Sequence, residues 1–264
     1  MNDTVRTPAV AGTFYPASAA ELGSTVDRLL AAVHVPAGAR RPKALIVPHA
    51  GYIYSGPIAA SAFARVAPFG AEITRVVLIG PAHRVFVQGL VSPGASRLRT
   101  PLGELEVDTA ALQQVGITVD AAAHAREHSL EVELPFLQRV TPHAKIVPLA
   151  GTRADPEAVG RVLDALWGGP ETLIVISSDL SHYLPYAEGR AADERTVARI
   201  LARETTIAGE EACGSIGLNG LAWLARRRNL AIELLDLRSS GDTAGKKDEV
   251  VGYGAFAVYE GAAS

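Results

Sequence analysis

Short apolar runs rich in β-branched residues alternate along the chain with longer segments in which apolar residues recur at helical spacing. This alternation predicts an α/β fold in which helices flank a central, mostly parallel sheet. The predicted strands are Ala44–Val47, Arg75–Ile79, Lys145–Leu149, Leu173–Ser177, Ile232–Leu237 and Gly254–Tyr259. The predicted helices are Ala20–Val33, Ile58–Val66, Ser129–Val140, Pro156–Trp167, Ala187–Ala202 and Gly217–Arg227.

Local signals mark where several elements begin or break, but none marks a domain boundary. Asp155 can cap a helix that begins at Pro156, and Pro135 should kink or interrupt its helix. Gly94–Gly103 has the composition of a surface loop or hairpin. We find no internal repeat and no long linker rich in Pro, Gly or Ser. Residues 1–264 are therefore predicted to form a single domain.

Composition and charge exclude several classes of protein. The 264 residues carry a net charge of −3 with a sequence pI near 6.2, which does not provide the basic surface expected of a nucleic-acid-binding protein. Cys213 is the single cysteine, so disulfides within the chain and zinc sites with several cysteines are excluded. No apolar run reaches about 18 residues, and the N-terminus lacks a basic region followed by an apolar core. We expect a cytoplasmic protein with no membrane partner.

Polar side chains follow several of the predicted strands at the point where each strand ends. Four segments contribute in this way, and the side chains concerned are His49, His83, Asp179 with His182, and Asp242. In open α/β sheets, ligands bind beyond the carboxyl ends of the strands, where several loops converge. If these strands are parallel, the side chains share one edge of the sheet. Two neutral imidazoles and a carboxylate at that edge would suit non-haem Fe(II) or zinc.

Each candidate also has a purely structural interpretation. His49 can serve as a hydrogen-bonding residue in a tight turn, and Asp179 as an N-cap. Asp242 lies in a polar loop, where a solvated carboxylate is the default. His128 can be an exposed residue at a helix start, and Cys213 a small buried one. The remaining histidines are predicted to lie at the surface: His34, His124 and His143.

Six blocks of sequence, in order, carry a strong resemblance to one known family. They are Ala9–Pro16 (AVAGTFYP), Pro48–Gly56 (PHAGYIYSG), Gly80–His83 (GPAH), Glu127–Leu137 (EHSLEVELPFL), Ser177–Tyr183 (SSDLSHY), and Ser240–Asp242 (SGD) with Val250–Tyr253 (VVGY). The chain resembles the Memo (mediator of cell motility) family from about Arg6 to Tyr259. Within that family it is most similar to the bacterial and archaeal branch called AmmeMemoRadiSam system protein B.

The resemblance implies a fold like that of the class III extradiol dioxygenases, which hold non-haem iron with two histidines and a carboxylate. The metal-binding histidines of the family match His49 and His83, and its other pocket positions match His128, Asp179 and His182. In animal Memo a cysteine completes the site, but the equivalent stretch here contains none. Asp242, beside Thr243, is our choice for the third ligand. A site with only two protein ligands would bind metal weakly or be empty as isolated.

We therefore expect a metal-binding protein, in the first instance an Fe(II)-dependent redox enzyme of an unidentified small substrate, with Zn(II) or Cu as alternative metals. The expected metal ligands are His49, His83 and Asp242. The residues expected to act in acid–base chemistry or in orienting an imidazole are His128, His182 and Asp179. The expected pocket residues are Tyr52, Tyr54, Tyr183, Cys213 and Thr243.

Two other functions remain open on the same residues. The chain can be a non-catalytic module that binds a ligand or a partner, and the name of the family branch implies a radical-SAM protein and an AMMECR-type protein as partners. It can also be a zinc hydrolase. A homodimer would be compatible with each of these functions.

Overall fold

A nine-stranded mixed sheet runs through the computed structural model, which describes residues 4–261. A separate three-stranded sheet consists of β1 (Val5–Arg6), β5 (Arg97–Thr100) and β6 (Gly103–Glu106). The strands of the large sheet are β2 (Ala44–Val47), β3 (Arg75–Pro81), β4 (Val91–Ser92), β7 (Thr118–Val119), β8 (Lys145–Gly151), β9 (Thr172–Ser177), β10 (His182–Leu184), β11 (Ala231–Ser239) and β12 (Val250–Tyr259). The helices are α1 (Ala19–Ala31), α2 (Tyr52–Val66), α3 (Thr109–Gln114), α4 (Ala121–Ala125), α5 (Leu134–Val140), α6 (Pro156–Ala165), α7 (Tyr186–Leu201) and α8 (Ser215–Arg228). Short 3-10 helices span Ala67–Glu72, Glu131–Glu133 and Ser240–Asp242.

Four parallel strands form the centre of this sheet, in the order β2, β9, β3, β8. β12 is antiparallel to β2 on one side and to β11 on the other, so β11 runs in the same direction as the central four. The predicted α/β architecture with a parallel core is confirmed. The sheet as a whole is mixed because β12 reverses direction and β4 lies antiparallel to β8.

Two groups of contacting helices pack on the sheet, one of α1, α2 and α5 and the other of α6 and α8. β2 and β9 are buried along their whole length, which accounts for their continuously apolar sequences. Gly160 and Gly220 allow α6 and α8 to approach closely, since a Cβ at either position would overlap a side chain of the other helix. Within residues 4–261 no helix combines the length and the apolar character needed to cross a membrane.

The local signals in the sequence act largely as predicted. The Asp155 side chain accepts from the backbone of the first turn of α6, and the predicted loop or hairpin over Gly94–Gly103 contains the β5–β6 turn. Pro135 interrupts its helix, which is divided into a 3-10 helix ending at Glu133 and α5 beginning at Leu134. Several of the shortest elements, such as β4, β7 and α4, were not predicted because two to five residues are too few to show a hydrophobic period.

Candidate metal centre

A cavity of about 670 Å³ opens at the carboxyl edge of the central strands. The loops that follow β2, β3, β9 and β11 form part of its wall, as does the start of β12, because that strand runs in the opposite direction. Its lining includes His49, His83, Arg84, His128, Asp179, His182, Tyr54, Tyr183, Phe14 and Lys246. The structure thus brings together the four strand-end segments on which the sequence argument depends.

Three histidines form a compact cluster in this wall. One ring nitrogen from each of His49, His83 and His128 lies within 4.8 Å of those of the other two. The ring centroids are 5.3 Å apart for His49–His83, 5.4 Å for His49–His128 and 4.8 Å for His83–His128. His49 is buried, whereas the side chains of His83 and His128 are 29% and 16% exposed, so the cluster is accessible from the cavity. The three nitrogens can hold one metal ion.

His49 is the buried member of the cluster, and its backbone N–H and both ring nitrogens have polar neighbours. Its backbone N–H donates to Oδ1 of Asp179 at 2.8 Å, and its Nδ1 lies 2.7 Å from the hydroxyl of Ser177. Sγ of Cys213 lies 3.4 Å from Nε2. Burial, assisted by the neighbouring imidazoles, lowers the pKa of His49 well below its ordinary value. The ring is therefore neutral at neutral pH, which is the form that binds metals.

Glu127 fixes the orientation of His83. Its Oε2 accepts from the backbone N–H of His83 at 2.6 Å, and its Oε1 lies 2.9 Å from Nδ1 of the same residue. Oε1 also accepts from the backbone N–H groups of His128 and Ser129. Burial opposes ionisation of this carboxyl, but the hydrogen bonds from His83 and from the backbone hold the pKa of Glu127 well below its usual range. An ionised Glu127 accepts from Nδ1–H and leaves Nε2 of His83 free to bind a metal.

His128 completes the cluster in a partly apolar environment. Its ring packs against Phe14, with the centroids 4.7 Å apart, and stacks on His83 with an angle of 16° between the rings. Burial lowers the pKa of His128 to about 4, so this imidazole is also neutral at neutral pH. The sequence singled out His128 for acid–base work; in the structure it is the third member of the group of histidines that could hold a metal ion.

Asp179 and His182 line the same cavity outside the histidine cluster. Asp179 accepts from the backbone N–H of His49 and thereby orients the loop after β2, and within residues 4–261 its carboxylate has no hydrogen bond to an imidazole ring. Burial raises the pKa of Asp179 to about 7. Burial also lowers the pKa of His182. Asp179 can therefore exchange a proton with a bound ligand near neutral pH, whereas the lowered pKa of His182 favours its neutral ring, the form that accepts a proton.

Asp242, the predicted third ligand, does not belong to the cluster. Its Oδ1 accepts from the hydroxyl of Tyr186 at 2.5 Å, and its Oδ2 accepts from the backbone and the hydroxyl of Ser239 at 2.8 and 2.9 Å. Oδ2 thus closes the 3-10 turn that follows β11, and Oδ1 joins this turn to the first residue of α7. Thr243 does not line the cavity, and its hydroxyl donates to the carbonyl oxygen of Ser240. The same loop reaches the cavity through other residues, among them Ser240 and Lys246.

The predicted pocket residues divide between the wall and the core. Tyr54 and Tyr183 line the cavity, and Tyr183 is 71% exposed with a left-handed backbone (φ +57°). Tyr52 is a core residue instead, 4% exposed, and its hydroxyl donates to the carbonyl oxygen of Val132. Cys213 lies behind His49 and not in the wall itself.

Sequence reasoning missed several residues that contact the cluster or line the cavity. Glu127 and Ser177 stand inside recognised blocks, but only the structure shows that they contact ring nitrogens of His83 and His49. Arg84 follows His83 directly and places a guanidinium at the cavity. The prediction that His124 lies at the surface is wrong, because it is 4% exposed with Nε2 3.0 Å from a backbone carbonyl oxygen.

Comparison with known proteins gives one consistent result. A family model described as "Memo-like protein" matches residues 6–257. A "MEMO1 family protein" of Aquifex aeolicus is 36% identical over 269 residues, which cover 94% of this chain and 97% of that protein. A second, from Caldivirga maquilingensis, is 32% identical and covers 97% of this chain and 99% of its own length. A third, from Thermotoga petrophila, is 33% identical over 94% of this chain and 97% of its own.

Proposed function

The chain belongs to the Memo-like protein family, and we propose that it is a metalloenzyme that holds Fe(II) on His49, His83 and His128 and acts on a small ligand in the adjoining cavity. The observation that carries the proposal is the cluster of three imidazole nitrogens within 4.8 Å of one another at an accessible cavity wall. Membership of the family supports the choice of an oxygen-dependent redox enzyme, since the resemblance noted above implies a non-haem iron site.

The chemistry of the donor set fits a borderline transition metal. Imidazole nitrogens suit Fe, Zn, Cu and Ni, whereas Mg and Ca prefer oxygen ligands. The lowered pKa values of His49 and His128 mean that no proton must be displaced from these two rings at neutral pH. Fe(II), when bound, would supply a Lewis acid and a one-electron redox centre.

The chain's own residues equip the cavity for binding and for proton transfer. Arg84 and Lys246 would attract an anionic group of the ligand, and Tyr183 offers an exposed aromatic ring beside it. The Asp179 carboxyl and the His182 ring are the candidate proton donor and acceptor, because both face the cavity without belonging to the histidine cluster. The sequence analysis assigned acid–base or orienting roles to His128, His182 and Asp179, and we propose the acid–base role for Asp179 and His182.

Metal content measured by inductively coupled plasma mass spectrometry tests the proposal. The protein should be purified anaerobically without an affinity tag, reconstituted with Fe(II), and compared with the His49→Ala and His128→Ala variants. We expect near-stoichiometric iron in the parent protein and its loss in both variants. Asp242→Asn and His143→Ala, the latter at an exposed histidine, should retain the metal. Retention in His128→Ala together with loss in Asp242→Asn would overturn the proposed ligand set.

Zinc hydrolysis is a second candidate because three histidines are also a ligand set of catalytic zinc sites. The two functions differ in their need for oxygen. A panel of esters should be tested anaerobically with the zinc-loaded protein, and oxygen consumption should be tested with the iron-loaded protein. Turnover of an ester that depends on zinc and on His49, without any oxygen uptake by the iron form, would favour the hydrolase.

A ligand-binding module without catalysis, working with a radical-SAM and an AMMECR-type partner, remains a prediction. Binding by such a module would survive complete removal of metal. Binding of each purified partner should therefore be measured with the metal-loaded protein, the demetallated protein and the His49→Ala variant. Equal affinity in all three would separate the partner function from the metal centre.

A further inference from the structure

The hydroxyl of Ser177, the last residue of β9, has three polar neighbours at hydrogen-bonding distance. Oγ lies 2.7 Å from the carbonyl oxygen of Ser129, 2.7 Å from Nδ1 of His49 and 2.9 Å from Oε1 of Glu133. Ser177, Ser129 and Glu133 have 0% exposure, and His49 has 1%. The three contacts therefore have to be satisfied among these groups, without bulk water.

Counting protons assigns a direction to each of these hydrogen bonds. A serine hydroxyl has one proton to donate, whereas a carbonyl oxygen can only accept, so the proton of Ser177 points to the carbonyl oxygen of Ser129. The other two neighbours must then donate to Oγ. Nδ1 of His49 therefore carries a proton, and Oε1 of Glu133 carries one as well. With an ionised Glu133, two oxygens 2.9 Å apart would face each other without a proton between them.

The surroundings of Glu133 agree with a neutral carboxylic acid. Its Oε2 is buried and has no hydrogen-bond partner among the described residues, and the side chain forms no ion pair there. An unpartnered carbonyl-type oxygen is much less costly to bury than half of a carboxylate anion. Burial also raises the pKa of Glu133 well above its ordinary value.

From this geometry we infer that Ser177 is a positioning residue: its hydroxyl, which donates to the carbonyl oxygen of Ser129, accepts from Nδ1–H of His49 and so presents the lone pair of Nε2 to the metal centre, while Glu133 donates to it as a neutral acid. The tautomer assignment depends only on the hydrogen bonds, whereas its effect on metal binding rests on the function proposed above. Glu133 contacts Ser177 and not the imidazole, and its neutral state matters because a carboxylate would compete with the carbonyl oxygen of Ser129 for the hydroxyl proton.

Substitutions at Ser177 and Glu133 separate the two roles. Ser177→Ala removes the acceptor of Nδ1–H, whereas Glu133→Gln keeps a neutral N–H donor for Ser177. In anaerobic Fe(II) titrations, with Zn(II) as a second probe, we expect Ser177→Ala to bind about ten- to a hundredfold more weakly and Glu133→Gln to stay within about twofold of the parent protein. Unchanged binding in Ser177→Ala, or an equal loss in Glu133→Gln, would contradict the inference.

A double variant tests whether Glu133 acts on the site only through Ser177. The Ser177→Ala protein already lacks the acceptor for Nδ1–H of His49. In that background, Glu133→Met should cause no further loss, because the route between the two residues is already broken. Additive losses would mean that Glu133 acts on the site in another way, and the inference would fail.

The tautomer of His49 can be read without any metal. Two-bond proton–nitrogen correlation spectra of the metal-free protein labelled with ¹⁵N-histidine identify which ring nitrogen carries the proton. We expect the Nδ1–H form of His49 in the parent protein and in Glu133→Gln, and a mixture with the Nε2–H form in Ser177→Ala. An unchanged tautomer in Ser177→Ala would overturn the inference even if the metal centre is confirmed. If the tautomer of His49 changes as expected but the protein binds neither Fe(II) nor Zn(II), the inference holds and the proposed function is wrong.

Discussion

Replacement of Glu127 by glutamine is the sharpest perturbation of the histidine cluster that leaves its ligands in place. Glu127 is 2% exposed, and its two oxygens accept four hydrogen bonds, three at Oε1 and one at Oε2. A glutamine can keep its oxygen at the Oε1 position, where three donors point. Its NH₂ group then has to face the backbone N–H of His83.

The expected cost follows from this geometry. One hydrogen bond to a charged acceptor is lost, worth about 1.5–3 kcal/mol, and two buried donors face each other at a further cost of about 1–3 kcal/mol. We therefore expect Glu127→Gln to lower the free energy of unfolding by about 3–5 kcal/mol. Loss of the negative charge opposite Nδ1 also makes His83 a weaker base, and metal affinity should fall by about ten- to a hundredfold.

Urea denaturation with and without Fe(II) measures both effects, and Glu210→Gln, at an exposed glutamate, is the matched control. The pKa of Glu127 is lowered in the folded protein, so its contribution is present above the ordinary carboxyl pKa and is lost as the pH falls through the folded value. The stability difference between Glu127→Gln and the parent should accordingly shrink in strong acid. A difference below about 1 kcal/mol at pH 7, or one independent of pH, would refute the argument.

Three further substitutions test other parts of the structure. Tyr15→Phe removes a hydroxyl that donates to buried Glu131 at 2.6 Å, and it should lower the free energy of unfolding by about 1–2 kcal/mol in urea denaturation. Gly70→Ala places a Cβ into the carbonyl oxygen of Val140, so thermal unfolding should show severe destabilisation or no folded protein. Tyr183→Gly relieves a left-handed backbone conformation at an exposed position and should leave thermal stability unchanged or higher, while calorimetry of ligand binding detects any loss of the aromatic wall.

Site residues could be predicted from the sequence where they lie just after a buried strand, because the strand then determines their position. His49 and His83 could be placed at one edge because both follow buried parallel strands, and the sheet positions strand ends without reference to the loops. Asp242 could not be placed in the same way, because its direction is set by a 3-10 turn that its own carboxylate closes. The burial of Glu133 could not be predicted either, because glutamate side chains are almost always exposed. Only the three contacts of the Ser177 hydroxyl reveal why this one is not.

The short segment of residues 127–133 supplies three buried carboxyl groups, those of Glu127, Glu131 and Glu133. Each faces a different neighbour: the first holds His83, the second accepts from the backbone N–H groups of residues 9 and 10 and from Tyr15, and the third contacts Ser177. In a regular helix, side chains two residues apart, such as those of Glu131 and Glu133, point to nearly opposite sides. This segment instead contains a 3-10 helix that ends before α5, and each carboxyl group contacts its own partner. One segment thereby supplies a carboxylate at Nδ1 of His83 and a neutral acid at the serine that contacts Nδ1 of His49, so it orients both imidazoles.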